Sequence, residues 1–105
     1  MAQINWSEPA LFDLNEIAEY IALDKESAAK KLVRQVFSAT DRLKQFPESG
    51  RKPPELGTTE YREIIVGPCR IFYRNKQNAI YILYVMRSER QLRKFIIDDR
   101  AEENS

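Results

Sequence analysis

Two hydrophobic rhythms divide the chain, one of period near 3.6 in its first half and one of period two in its second. Ile4 and Trp6 alternate with polar neighbours and predict a short first strand over 3–6. Ser7 then offers an N-cap, with Glu8 and Pro9 in the first turn, where a missing N–H does least harm. Leu11, Leu14, Ile17, Ala18 and Ile21 recur at helical spacing, which predicts an amphipathic helix over 8–23. Asp24 is the expected cap of a second helix over 25–46. Its stripe is Ala29, Leu32, Val33, Val36, Thr40 and Leu43, with Phe37 and Phe46 beside it. So short a turn between two stripes predicts an antiparallel helical hairpin. Pro47-Glu48-Ser49-Gly50 stops the second helix, and Pro53-Pro54 keeps the next residues non-helical. Residues 47–60 are therefore expected to form an irregular loop, of a length that often serves function.

Three strands come next. Tyr61–Val66 and 69–74 are joined by Gly67-Pro68 as a tight hairpin, and 79–85 comes after the polar turn Asn75-Lys76-Gln77-Asn78. In the middle strand Cys69, Ile71 and Tyr73 point one way, and Arg70, Phe72 and Arg74 the other. The first set is expected to meet the helices, which puts Arg70 on the opposite, concave face. Ser88 and Gln91 have the spacing of a capping box. With Leu92, Phe95 and Ile96 on one stripe, they predict a helix over 89–99 and a frayed end over 100–105. The expected architecture is one α+β domain over 1–105, in the order β-α-α-β-β-β-α.

Composition narrows the chemistry more than it shapes the fold. The 105 residues suffice for one core. The chain has no histidine, which excludes imidazole bases and His–metal sites, and a single cysteine, Cys69, which excludes an internal disulfide. No convergent acidic cluster suggests a carboxylate-only metal site, so no metal or cofactor is expected. Any catalysis would rest on Arg, Lys, Glu, Ser or Tyr. No apolar run approaches the length needed to span a bilayer, and the first residues lack a secretory pattern, so a cytoplasmic protein is expected. The net charge of +1 conceals polarity. Residues 1–24 carry Glu8, Asp13, Glu16, Glu19 and Asp24 without a base, whereas Arg87, Arg90, Arg93 and Lys94 stand against Glu89 alone. Clusters of one sign are either solvated faces or partner sites.

Four stretches, in this order and at these spacings, resemble the RelE/ParE toxin superfamily over about residues 4–97. They are Trp6-Ser7 leading through Asp13-Leu14 to Tyr20-Ile21; Leu43-Lys44-Gln45-Phe46-Pro47-Glu48-Ser49-Gly50-Arg51; Tyr61 to Pro68 running into Arg70-Ile71-Phe72-Tyr73-Arg74; and Ile80-Tyr81-Ile82-Leu83 ending near Arg87. The likeness is closer to ParE than to RelE. It implies a toxin held inactive by a cognate antitoxin. ParE-like members are understood to poison DNA gyrase, and RelE-like members to cleave mRNA on the ribosome. A shared fold does not choose between these.

Cleavage through a 2′-hydroxyl needs a base, cationic stabilisation of the phosphate and an acid for the leaving oxygen. The RelE-like pattern supplies these from basic residues and a tyrosine on the last helix. Arg70 matches its strand arginine and Arg62 one of two alternating basic positions; the second is Ile64. Arg87 or Ser88 stands where a further basic residue is expected, the tyrosine position falls near Lys94, and no tyrosine comes after Tyr84. A gyrase poison needs only a binding surface, for which Arg87, Arg90, Arg93, Lys94, Arg51 and Lys52 are the candidates. Those arginines could equally neutralise a helix end or bind antitoxin carboxylates. For the antitoxin the resemblance implies a helix and a strand laid across the hairpin and a sheet edge. Leu11, Leu14, Tyr20, Val33 and Phe37 could line that groove or belong to the core. A third reading is a decayed toxin that only binds its antitoxin.

Overall fold

A computed structural model describes residues 2–103. The elements are β1 (Gln3–Trp6), α1 (Glu8–Ala22), α2 (Glu26–Asp41), β2 (Tyr61–Val66), β3 (Cys69–Lys76), β4 (Ala79–Arg87) and α3 (Lys94–Glu103). One turn of 3-10 helix, Arg42–Lys44, extends α2. The sheet runs β1-β4-β3-β2, with β1 parallel to β4 and the other pairs antiparallel. This is the expected α+β order.

Local chemistry explains most boundaries. Ser7 caps α1 as expected, its hydroxyl accepting from the Ala10 N–H at 3.1 Å. The cap of α2 is Lys25 and not Asp24, and it gives no side-chain bond. The Asp24 and Lys25 N–H groups are both spent on the Ile21 carbonyl that ends α1. Gly67 takes a φ of 54° in the β2–β3 turn, and Gln77 and Asn78 take 54° and 62° in the next one. Two successive left-handed residues match the twist of the flanking strands.

The sheet separates two cores. On one face Leu14, Ile17, Leu32 and Val36 of the hairpin pack on Cys69, Ile71, Tyr73, Ile82 and Val85. On the other, Phe72, Leu83 and Met86 pack against Leu92, Ile97 and Ala101. A bulge in β4 makes this division possible. Phe72 faces Tyr84 while Tyr73 faces Ile82, so Leu83 is an extra residue. Leu83 and Tyr84 therefore both turn toward α3, between Ile82 and Val85, which face the hairpin.

The C-terminal segment departs from expectation. The helix begins at Lys94, not near 89, because residues 88–93 stay irregular. Nor is residue 100 onward frayed. Ala101 is buried, and the Arg100 guanidinium grips Asp13 of α1 at 2.9 and 3.2 Å and the Leu83 carbonyl at 2.9 Å. Residues 104–105 of that expected frayed end lie outside the described residues. Arg100 and Asp13 together occupy the outer edge of β4 where β1 has stopped, since Asp13 also accepts from the Val85 N–H at 3.1 Å.

Tyr73 fixes the loop after α2. Its ring is fully buried, and its hydroxyl donates to the Pro47 carbonyl at 2.8 Å and accepts from the Gly50 N–H at 3.0 Å. A Cβ on Gly50 would lie 2.7 Å from the Glu63 carbonyl oxygen and from the Tyr73 ring and hydroxyl. Gly57, with φ of 63°, has nothing within 4 Å of its missing Cβ. Gly50→Ala is thus expected to cost about 2–3 kcal/mol from overpacking, and Gly57→Ala about 1 kcal/mol from its backbone alone. Thermal melts compare the two directly; equal losses would show that the Gly50 contact is not tight.

Candidate functional site

Arg70 gathers the face of the sheet that carries α3. It stands in the middle of β3, opposite Ile65 on β2 and Met86 on β4. Its side chain is only 6% exposed, so its charge must be met inside the protein. Glu63 of β2 takes Nε at 2.7 Å and one terminal nitrogen at 2.9 Å. Glu55 of the loop takes both terminal nitrogens at 2.6 and 2.7 Å, and the Arg90 carbonyl accepts from one of them at 3.0 Å. Two bidentate carboxylates and that carbonyl together take all five N–H donors of the planar fork. Arg70 lies on the face opposite the hairpin, as expected, and the loop and the segment before α3 close over it.

Glu55 carries the structure outward from that cluster. It also accepts from the Leu92 N–H at 3.0 Å, which pins the irregular segment between β4 and α3. Bonding to Arg70 holds its carboxyl down to about 2, against the opposing effect of burial. On α3, Asp98 accepts from the Tyr61 hydroxyl at 2.9 Å and from Lys94 Nζ at 2.6 Å. Burial and then that carboxylate push the Tyr61 phenol up to about 12. Tyr61 is the tyrosine bonded to the last helix, and it stays protonated.

The three arginines of the nuclease pattern do not converge. Arg62 lies across from Tyr73 on the hairpin side and donates to the Gly50 carbonyl at 2.8 Å. Arg87, across from Cys69, stacks 5.2 Å over the Tyr20 ring and pairs with Glu89 at 2.8 Å. Arg70 is on the other face. Cys69 is buried, and burial pushes its thiol up to about 11, which removes it as a nucleophile.

The target-surface candidates fall in two places. Arg90 and Arg93 are exposed on the irregular segment, with Lys94 paired to Asp98 at the start of α3. Arg51 and Lys52 lie apart from them on the loop; Arg51 Nε is 3.4 Å from Glu63, and Lys52 donates to the Thr59 carbonyl. Of the groove candidates, Leu14 is core and drops out as a contact, at 3% exposure. Val33 is half-buried, Phe37 packs on Trp6 at 5.0 Å between ring centroids, and Leu11 and Tyr20 are exposed. Tyr20 joins Phe12, Glu16, Tyr84 and Arg87 around a groove between α1 and the outer edge of β4. Sequence reasoning missed Glu55, Glu63, Asp13 and Arg100 as partners. Only the pairing register, which puts Glu63 across from Phe72 and beside Arg70, could have signalled one of them.

A hairpin packed on a four-strand mixed sheet, with a basic segment clamped across the other face, defines a small toxin fold. The model for the ParE toxin of type II toxin–antitoxin systems, parDE, matches residues 4–92. The chain belongs to this family. Among curated relatives it is 32% identical over 91 residues to Toxin RelE2 of Caulobacter vibrioides, covering 86% of this chain and 99% of that one. It is 36% identical over 91 residues to the putative toxin Y4kP of Sinorhizobium fredii, covering 85% and 91%. A solved chromosomal ParDE toxin–antitoxin system from P. aeruginosa is similar at a TM-score of 0.70 and 26% identity, covering 85% of this chain and 98% of that one.

The carboxyl of Glu55 gives a pH signature. Its value falls on folding from about 4.5 to about 2, so its stabilisation is complete above the unfolded value and is lost as pH drops toward the folded one. Glu55→Gln should lower stability at pH 7 and flatten the decline between about pH 5 and 2. Urea unfolding at a series of pH values measures this; parallel curves for the two proteins would refute the assignment.

Proposed function

We propose that this toxin is neutralised by a cognate antitoxin and acts by binding DNA gyrase rather than by cutting RNA. The observation that carries the reading is the state of the arginines. Arg70 is consumed by Glu55 and Glu63, while Arg90 and Arg93 project from a segment whose backbone those same groups hold in place. A surface of this kind serves differential binding to one state of a partner, without covalent chemistry. Arg87, against Tyr20 and Glu89, extends it toward α1.

An antitoxin partner is the natural counterpart of the P. aeruginosa neighbour, a ParDE system by name. Its helix would lie along the exposed apolar residues Leu11, Phe12 and Tyr20 beside the β4 edge, with Phe37 at the margin of the hairpin. The antitoxin and the gyrase surface then share Arg87 and Tyr20, which makes neutralisation a matter of competition.

The deciding experiment sets a gyrase supercoiling assay beside ribosome-programmed mRNA cleavage, with the purified toxin in both. Inhibited supercoiling with intact mRNA is expected. Each of Arg90→Glu and Arg93→Glu should weaken inhibition by about tenfold, the loss of about 1.4 kcal/mol, while leaving the thermal melt unchanged. Cleaved mRNA with normal supercoiling would overturn the proposal in favour of the ribonuclease reading. Neither activity, with antitoxin binding retained, would leave a toxin that only binds its antitoxin.

A further inference from the structure

The outward face of α2 carries charge that the protein itself leaves unused. Leu32, Val36 and Ala39 are buried and fix the rotation of the helix. Lys31, Arg34, Ser38 and Arg42 then succeed one another along the exposed side, at spacings of three and four residues. Among the described residues, none of these three cations has an ion-pair partner. Both acids of α2 are spent on other bases, Glu26 on Lys30 at 3.3 Å and Asp41 on Lys44 at 2.8 Å. The Glu63 carboxylate, beyond the groove beside α2, is wholly buried against Arg70.

These charges fall into two ends with a neutral polar middle. Lys31 and Arg34 adjoin, and Arg42, in the turn that extends α2, stands about 12 Å further along the axis. Between them Gln35 and Ser38 are exposed and can donate hydrogen bonds without adding charge. The stripe borders an open groove, and Arg42 also borders a second one that leads to Arg51, itself 60% exposed. Among the described residues no aromatic side chain lines either groove. The surface is therefore a row of phosphate-binding groups without a platform on which unpaired bases could stack.

We propose that the α2 stripe grips the phosphate backbone of duplex DNA without reading its sequence. The separation of its two cationic ends matches the major groove of B-form DNA, about 12 Å wide. Lys31 and Arg34 meet phosphates of one strand and Arg42 those of the other, with Gln35 and Ser38 over the groove between. Contacts of this kind set position and carry no sequence information. Duplex RNA fits less well, because its A-form major groove is deep and narrow. The toxin makes these contacts itself, with no antitoxin present, and they do not depend on which target it acts on.

The test is fluorescence anisotropy of the full chain with labelled twenty-base-pair DNA duplexes of two unrelated sequences. A duplex RNA of the same length and a poly-glutamate peptide are the other probes. Both DNA duplexes are expected to bind equally, and more tightly than the RNA or the peptide. For three neutralised phosphates, log K should fall by about 2.7 per decade of salt. Arg34→Gln should reduce that slope by about 0.9, and Arg34→Glu with Arg42→Glu should weaken binding at least tenfold. Neither arginine has an ion-pair partner to lose, so the thermal melt is expected to stay in place. Should the double variant misfold, amide NMR shifts confined to 31–42 of the wild type on adding DNA still decide. No DNA binding, binding unaffected by the α2 pair, or RNA or poly-glutamate bound as tightly would each overturn the proposal.

Discussion

A buried guanidinium in so small a domain constrains nearly everything around it. Leaving the Arg70 charge unmet in a low-dielectric interior would cost several kcal/mol, so two carboxylates must be delivered to it. One arrives by strand register, since Glu63 sits on the neighbouring strand. The other arrives by loop, and for Glu55 to reach Arg70 the irregular stretch after α2 must fold back across the sheet. Glu55 Oε2, which already accepts from Arg70, has a lone pair left for the Leu92 N–H, and Arg70 Nη1 has one N–H left for the Arg90 carbonyl. That leftover bonding capacity sets the path of the chain between β4 and α3.

A complementary anchor works on the opposite face. Tyr73 brings a hydroxyl to the end of the hairpin core and satisfies the Gly50 N–H and the Pro47 carbonyl there. The loop is thus tied at Gly50 from below and at Glu55 from above, and only glycine leaves room for the lower tie. The backbone of the basic segment is held at the Arg90 carbonyl and the Leu92 N–H, while the Arg90 and Arg93 side chains stay exposed.

Patterning makes the elements legible, and pairing makes the site obscure. The stripes of α1 and α2 and the alternation of β2 and β3 can be read because one face of each is buried and the period declares it. The Phe-Pro-Glu-Ser-Gly stretch is recognisable, but its physical basis, the Tyr73 hydroxyl, is an interaction across the fold. The last helix is misplaced by sequence because Ser88 and Gln91 imitate a cap, while the start of the helix is set by Glu55 holding Leu92. Its end reads as loose because Arg100 and Glu103 look solvated in sequence; the partner of Arg100, Asp13, lies on the first helix. The bulge at Leu83 is likewise invisible to any pattern, since both of its neighbours are apolar. Arg70 stands out in the sequence, but its availability does not, because availability depends on which acids arrive.

The parallel pairing of β1 with β4 has a temporal meaning as well. Gln3 is registered against Ala79, so the first strand of the sheet has no partner until its last strand exists. During synthesis the hairpin can form early from local contacts, but its apolar face has no complete sheet to cover. The sheet is therefore complete only once β4 has been synthesised. A chain stopped before residue 79 lacks the strand that closes the core. The topology couples closure of the core to synthesis of the last strand.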